Sequence, residues 1–268
     1  MSIPVIGVPI VNGVHWLQRL IDSVDFPVDN FFILNNNGKG EITAELDIIA
    51  ATPHPFIKKI HVSHFPSNQG VPASFNLIIK CFINEPYWVL ANYDLAFTPG
   101  LLEELYTKAQ QPEVGMIHGN GGDFGDGAYD LLLLKDWVVQ KIGIFDENCY
   151  PAYCEDVDYI MRTTRWNWDN PQDPIYKIPS LESPYYHGNA LTTETNYYEE
   201  AGQTKKSNDE LRIRLDEVHY INWEYMTEKW GEHWRSTNPQ KYPMGIQGMP
   251  ITYTKFDLEY VRRKYLGF

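Results

Sequence analysis

Cysteine is scarce in this chain. Cys81, Cys149 and Cys154 form an odd set with no Cys-x-x-Cys pair, so neither a disulfide framework nor a cysteine zinc cage is expected, and reduced thiols are the default. Basic residues are outnumbered, 22 Lys and Arg against 35 Asp and Glu, for a formal charge of −13. Nucleic acid and anionic membrane are thereby set aside as main partners, because binding phosphate over a surface needs clustered cations. A nucleotide held through a divalent cation stays open, since a metal bound by carboxylates turns an acidic cleft into a diphosphate site. No apolar run approaches the ~20 residues of a spanning helix. The first ten residues, with neither a basic leader nor a small-residue cleavage site, read as a strand. The expectation is a soluble chain in a cytosol-like compartment. Internal repeats and low-complexity linkers are also missing. The glycine-rich stretch 119–127 has no Lys-Ser/Thr ending and no βαβ dinucleotide fingerprint around it, and is expected as a mobile loop near the site.

What is present is an alternation. At 268 residues the chain can bury one sizeable core as a single domain. Apolar runs at 3–8, 31–34, 57–65, 87–91 and 114–118 read as strands. Segments of helical periodicity follow most of them: one from Val14 behind an Asn12 cap, one through Ile42, Leu46 and Ile49, one over 73–84 and one over 99–110. Strands alternating with helices imply a mainly parallel sheet with ligands at the carboxyl ends of its strands. A charged helix near 205–230 and a short one near 256–265 close the chain as a helical extension.

The chemistry concentrates in 143–162. Glu155, Asp156 and Asp158 stand at the start of an apolar-periodic segment whose inward face would be Val157, Ile160 and Met161. In a first helical turn, unsatisfied N–H groups and the positive end of the dipole favour such carboxylates. One reading is an acidic helix start over a core stripe. The other is a general base, because crowding pushes a carboxyl pKa upward. Spacing alone leaves both open. Asp94, directly off the strand 87–91, reads as a metal ligand or as a turn Asp. Cys81 is expected on an apolar helix face, and neither Cys149 nor Cys154 has an evident cationic neighbour, so none of the three is expected to be catalytic.

Phe145-Asp146-Glu147, an aromatic, then Glu155-Asp156-Val157-Asp158 and a closing Arg162 resemble the acceptor-side motif of inverting nucleotide-sugar glycosyltransferases of the GT-A fold, the large family-2-like group. The likeness extends to its rhamnosyltransferase-like branch and to glycosyltransferases of large algal viruses. The resemblance runs through about residues 3–190 and more weakly to 240. It implies an α/β fold of three layers with a mainly parallel central sheet. Residues 1–118 would form a nucleotide-sugar half, 119–200 an acceptor and catalytic half, and 201–268 the extension. Asp156 would be the base, Glu155 would orient the acceptor or its loop, and Asp158 would be structural. Asn92-Tyr93-Asp94 is similar to the family's Asp-x-Asp signature with Asn in the first place, so a manganese or magnesium ion would lean on Asp94, with His187 as second ligand. Pro9, Val11, Asn12, Asn35, Asn36, Asn68, Gly70, Asn76, Asn92 and Tyr93 fall where the family lines its donor pocket. Tyr153, Arg162 and Trp166 fall toward the acceptor. Glu228-Lys-Trp-Gly231 resembles a Lys-Trp-Gly element of one branch, expected to matter for packing first.

The implied function is transfer of a sugar from a nucleoside diphosphate, UDP in the first place (UDP-xylose or UDP-rhamnose, for example), onto a hydroxyl of a glycan. A sugar nucleotidyltransferase would need a glycine-rich Arg/Lys loop after the first strand, which is missing. A catalytically silent glycan-binding module of the same fold is the rival from another class.

Overall fold

The structure is a computed structural model that describes residues 1–119, 129–179, 186–187 and 215–231, with only the backbone described for 177–179, 186–187 and 215–221. Its strands are β1 (Ile3–Ile10), β2 (Val28–Asn35), β3 (Ile60–His64), β4 (Tyr87–Ala91), β5 (Leu95–Ala96), β6 (Val114–His118), β7 (Leu131–Lys135), β8 (Tyr176–Pro179) and β9 (Tyr186–His187). The helices are α1 (Val14–Asp22), α2 (Thr43–Ala51), α3 (Val71–Cys81), α4 (Leu101–Ala109), α5 (Asp136–Ile142), α6 (Glu155–Asp169) and α7 (Leu215–Trp230). Seven strands pair in the order β3-β2-β1-β4-β7-β6-β8, and β5 pairs with β9 in a small separate ribbon.

The large sheet is parallel except at β7, which runs against both β4 and β6. Its central strands, such as β1, β4 and β7, are buried along their whole length because both faces are covered. In β7, Leu131 and Leu133 enter one core with the inner faces of α1, α2 and α4, while Leu132 and Leu134 enter a second core with α3, α5 and α6. That division follows from the period of two along a strand, and it makes three layers.

Several local readings are corrected. Asn12 does not cap α1; Gly13 does, at φ 71, a left-handed conformation that glycine adopts without steric cost. The third strand is shorter than 57–65, with Ile57 keeping a lone bridge to Val28. The helix expected over 73–84 starts at Val71 and stops at Cys81, leaving that thiol exposed rather than on an apolar face. Strands β7 and β8 and helix α5 are additions. The helix expected over 205–230 is described from Leu215 onward, and 119–127 (but for its first residue), 205–214 and 256–265 lie outside the described residues.

Helix α6 begins where expected but buries something other than an apolar stripe. Asp158, Tyr159, Met161, Arg162, Thr163 and Arg165 are its buried residues, while Val157 and Ile160 are half-buried against different cores. Asp158 is 0 % exposed and Arg162 1 %. Their ion pair spans one helical turn, Arg162 Nε to Asp158 Oδ2 at 2.9 Å, and Arg162 Nη1 donates to the Ile142 carbonyl at 2.6 Å. From α7, Lys229 Nζ reaches Asp158 Oδ1 at 2.6 Å and Asp146 Oδ2 at 2.7 Å, and the Trp230 indole N–H donates to Asp158 Oδ1 at 2.8 Å. Tyr225 donates its hydroxyl to Asp146 as well. The Lys-Trp-Gly element is therefore a clamp between α7 and α6, as its packing role implied. Burial would raise the Asp158 pKa, but Arg162 and Lys229 outweigh it and hold that carboxyl below its ordinary value.

Two consequences can be measured. Lys229→Met removes one of two cations facing two buried carboxylates and should cost about 3–5 kcal/mol in urea unfolding; a loss under 1 kcal/mol would mean that water replaces the ammonium. The lowered Asp158 pKa contributes stability that is present above the ordinary aspartate value of about 4 and lost as pH falls through the native one. Melting temperatures taken from pH 7 down to 3 should therefore fall less steeply in Asp158→Asn than in the unchanged protein.

Candidate functional site

The carboxyl ends of β1, β2, β3 and β4 share one edge of the sheet, since these strands run parallel. Pro9 lies in the last turn of the pleat of β1, paired with Leu34, and Val11 and Asn12 follow it. Asn12 Oδ1 accepts from the Tyr93 hydroxyl at 3.4 Å, which joins the end of β1 to the loop after β4. Asn92, Tyr93 and Asp94 are half-buried in that loop.

The asparagines after β2 and β3 mostly hold loops in place. Asn35 bonds the His64 ring and the Asn37 N–H; Asn37 Nδ2 bonds the Val11 carbonyl at 3.0 Å. Asn36 Nδ2 donates to Ser74 Oγ at 2.9 Å. Asn68 Oδ1 accepts from the Gly70 N–H at 2.8 Å, and its carbonyl accepts from the Tyr150 hydroxyl. Gly70, at φ 79, lies so near the loop before α6 that a Cβ there would sit 2.8 Å from the Pro151 carbonyl oxygen. Asn76, expected in the donor pocket, is 0 % exposed. Its amide takes the Phe145 N–H and donates to the Phe145 carbonyl and to Glu147 Oε1. A side chain so enclosed positions the loop and meets no ligand.

The acidic end of α6 comes to the same edge by way of β7. Because β7 is antiparallel to β4, with Leu131 opposite Ala91, the residue preceding it arrives beside Asn92. Asp130 accepts there from the Asn92 backbone N–H at 2.8 Å and from Asn92 Nδ2 at 3.2 Å. Asp156 stands near enough to feel the Asp130 charge and to take the Tyr129 N–H. Burial pushes the Asp156 carboxyl up to about 6, with Asp130 adding to the rise, while N–H bonds from Val157 and Tyr129 pull it back. Burial, and then Asp156, lifts Glu155 well above the carboxylate range. Its Oε2 is buried and has no hydrogen-bond partner among the described residues. Asp130 carries no signal of its own in the sequence, because only the pairing of Leu131–Lys135 against β4 brings it beside Asn92.

Of the metal-ligand pair, Asp94 directly precedes β5, and the β5-β9 register sets His187 opposite Leu95. The two positions are thus neighbours in the backbone of one ribbon. Among the described residues no three His, Cys, Asp or Glu side chains gather closely enough to hold a metal ion.

Of the expected acceptor contacts, Tyr153 is 45 % exposed just before α6, at φ 71. Arg162 is corrected: a guanidinium at 1 % exposure, committed to Asp158, is an internal counter-ion. Trp166 is corrected as well. Ten residues beyond Asp156, about 15 Å along the helix, it donates its indole N–H to the Asp173 carbonyl and packs under Lys141. Burial, with Asp146 and Asp158 nearby, pushes the Cys149 thiol well above its ordinary pKa.

The chain is similar to several known proteins. A "Galactofuranosyl glycosyltransferase" of Leishmania donovani is 19 % identical over 60 % of this chain and 52 % of that protein. The mannosyltransferase PcManGT from Pyrobaculum calidifontis, solved with GDP-Man and Mn2+, superposes at a TM-score of 0.50 with 14 % identity over 66 % of this chain and 54 % of that one. S. aureus TarS 1-349 in complex with UDP superposes at 0.53 with 10 % identity over 99 % of this chain and 88 % of that one. The chain spans about half the length of the first two of these relatives. No helix among the described residues is long and apolar enough to cross a membrane. The sheet and its two helical layers are those of the GT-A nucleotide-sugar transferases. With the family model for "Glycosyl transferase family 2" matching residues 5–176, from the first strand to the end of the acidic helix's return, the chain belongs to glycosyl transferase family 2.

Proposed function

We propose that this chain is a metal-dependent, inverting glycosyltransferase that moves one sugar from a nucleoside diphosphate, UDP in the first place, to a hydroxyl of a glycan. The observation that carries this reading is Asp156, a half-buried carboxyl in the first turn of α6 whose pKa is raised to about 6. A base of that strength is ionised at neutral pH and still accepts a hydroxyl proton readily. Asp156 takes the acceptor proton as the acceptor oxygen attacks the anomeric carbon. The bond to the diphosphate breaks on the opposite face and the diphosphate leaves with the electron pair. Glu155, whose carboxyl is raised by burial and by the neighbouring Asp156, orients the acceptor or its loop. Tyr153 offers an exposed ring face to a sugar.

Asp94 and His187 would hold Mn2+ or Mg2+, a reading supported by their adjacency in the β5-β9 ribbon. A carboxylate, an imidazole and diphosphate oxygens form a donor set that these ions accept. When bound, the ion would neutralise charge developing on the leaving diphosphate. Pro9, Val11, Asn12, Asn92 and Tyr93 surround the place for the nucleotide. One structural relative holds UDP and another GDP-Man with Mn2+, so UDP- and GDP-sugars, UDP-xylose and UDP-rhamnose among them, belong in one panel. Release of nucleoside diphosphate from that panel, first without acceptor, separates a transferase from a silent binding module.

Asp156→Asn keeps shape and hydrogen bonding but removes the basic lone pair, so turnover should fall about 10²–10⁴-fold with UDP affinity nearly unchanged. In the unchanged protein kcat/KM should drop about tenfold per pH unit below the Asp156 pKa, and this acid limb should be gone from the residual rate of the variant. A limb that persists there belongs to another group. Nuclear magnetic resonance of the product should show an anomeric configuration opposite to that of the donor; retention would remove Asp156 from the role of single base.

UDP and a divalent ion should also stabilise the protein together, by about 2.7 kcal/mol at a hundredfold excess over the dissociation constant. If UDP raises the melting temperature equally in the presence of a chelator, the assignment of Asp94 and His187 is wrong.

A further inference from the structure

The turn that delivers Asp156 is unusual in its backbone. Tyr153 and Cys154, the two residues before α6, both have positive φ, 71° and 73°, and they are the only non-glycine residues so placed among those described. Left-handed backbone costs a non-glycine residue roughly 1–2 kcal/mol, and it persists only when the surroundings over-determine it. No side chain caps the helix here. The surroundings are supplied from far along the chain by Asn222 of α7, which is 0 % exposed. Its amide nitrogen lies 2.6 Å from the Ala152 carbonyl oxygen, 3.0 Å from that of Tyr153 and 3.1 Å from that of Cys149. Three successive corners of one loop thus meet a single buried donor group.

We infer that Asn222 is a positioning residue for the transfer reaction: by holding the carbonyls of Cys149, Ala152 and Tyr153 it enforces the left-handed Tyr153–Cys154 pair and so sets where α6 begins and where Asp156 points. This inference rests on the proposed role of Asp156. The mechanism is local. If the amide is lost, the pair relaxes toward ordinary backbone, the first turn of α6 shifts or frays, and the carboxylate leaves its place beside Tyr129 and Asp130. Helix α7 then serves the site twice, through Lys229 and Trp230 at Asp158 and through Asn222 at the turn one step earlier.

Glycine supplies the test, because it adopts positive φ without steric cost. Three proteins are compared with the unchanged one: Asn222→Ala, Asn222→Ala with Cys154→Gly, and Asn222→Ala with Cys154→Ala. The readouts are release of UDP from the UDP-sugar that the unchanged protein turns over fastest, UDP affinity in Mn2+ by calorimetry, and hydrogen exchange of the 154–158 amides. Asn222→Ala should lose turnover by about 10- to 100-fold, the scale of an ångström-sized misplacement. UDP affinity should stay within about twofold of the unchanged protein, since a group acting only at the transition state leaves ground-state binding alone. Amide exchange should quicken. The glycine double variant should regain most of both turnover and protection, and the alanine double variant should regain neither, because alanine keeps the Cβ that makes the conformation costly.

Equal recovery by glycine and alanine, or recovery by neither, would overturn the proposal and leave Asn222 as a packing residue. Unchanged turnover in Asn222→Ala would overturn it directly. If Asn222→Ala does not fold, Asn222→Ser, which keeps one donor, takes its place with the same two second substitutions and the same outcomes. Failure of the base assignment would appear separately, as an active Asp156→Asn protein in which Asn222 is untouched.

Discussion

Asp158 is the point on which the second half of the molecule depends. Two ionised groups from two helices converge on its carboxylate, Arg162 from its own helix and Lys229 from α7, and the Trp230 indole N–H completes the set. Removing a carboxylate from water is costly unless each lone pair finds a donor, and here both oxygens do. The same ammonium bonds Asp146, so two carboxylates and two cations neutralise one another inside the protein. Arg162 also lies over the Tyr159 ring, which in turn stacks on Phe145 at 4.5 Å. Polar and aromatic contacts tie the loop 145–149, α6 and α7 into one body, with a small apolar core of Cys149, Cys154, Met161, Tyr225, Met226 and Trp230 alongside.

That body sets two adjacent carboxyl groups, to which the proposed reaction is assigned, apart from a third, two residues on, that holds the fold together. Asp158 faces cations and its pKa is lowered; among the described residues Glu155 and Asp156 have no such ion pair, and burial raises theirs. Within one helical turn the carboxyls thus differ in direction of shift, because Lys229 of α7 and Arg162 meet Asp158. Separation of titratable neighbours by environment is a frequent mark of acid and base roles.

The edge of the sheet is organised by amides in a different way. Asn35, Asn36, Asn37, Asn68 and Asn76 each satisfy backbone or side-chain groups of neighbouring loops. Loops at strand ends carry many unpaired peptide groups, and short amide side chains can satisfy them without bringing charge. Asn12 and Tyr93 join the end of β1 to the loop after β4, and Asp130 is held beside Asn92 at the same edge.

The alternation of apolar runs with helical periodicity was enough, by itself, to determine that β1 through β4 and the helices between them exist, though not all their bounds, and to suggest a helix start near Cys154, because local burial patterns repeat with the period of the element that carries them. The same reading placed Asp156 in a first turn. Which residues that helix would bury was decided only in three dimensions: periodicity pointed to Val157, Ile160 and Met161, and could not foresee that Lys229, seventy-odd residues on, would make Asp158 and Arg162 affordable inside. Orientation was equally out of reach. Leu131–Lys135 as a string of apolar residues carries no sign of direction, yet its running against β4 is what brings Asp130 to Asn92. Arg162 and Asn76 were motif positions in the sequence and are internal supports in the structure, since burial belongs to the whole packing and not to any residue's neighbours in the chain.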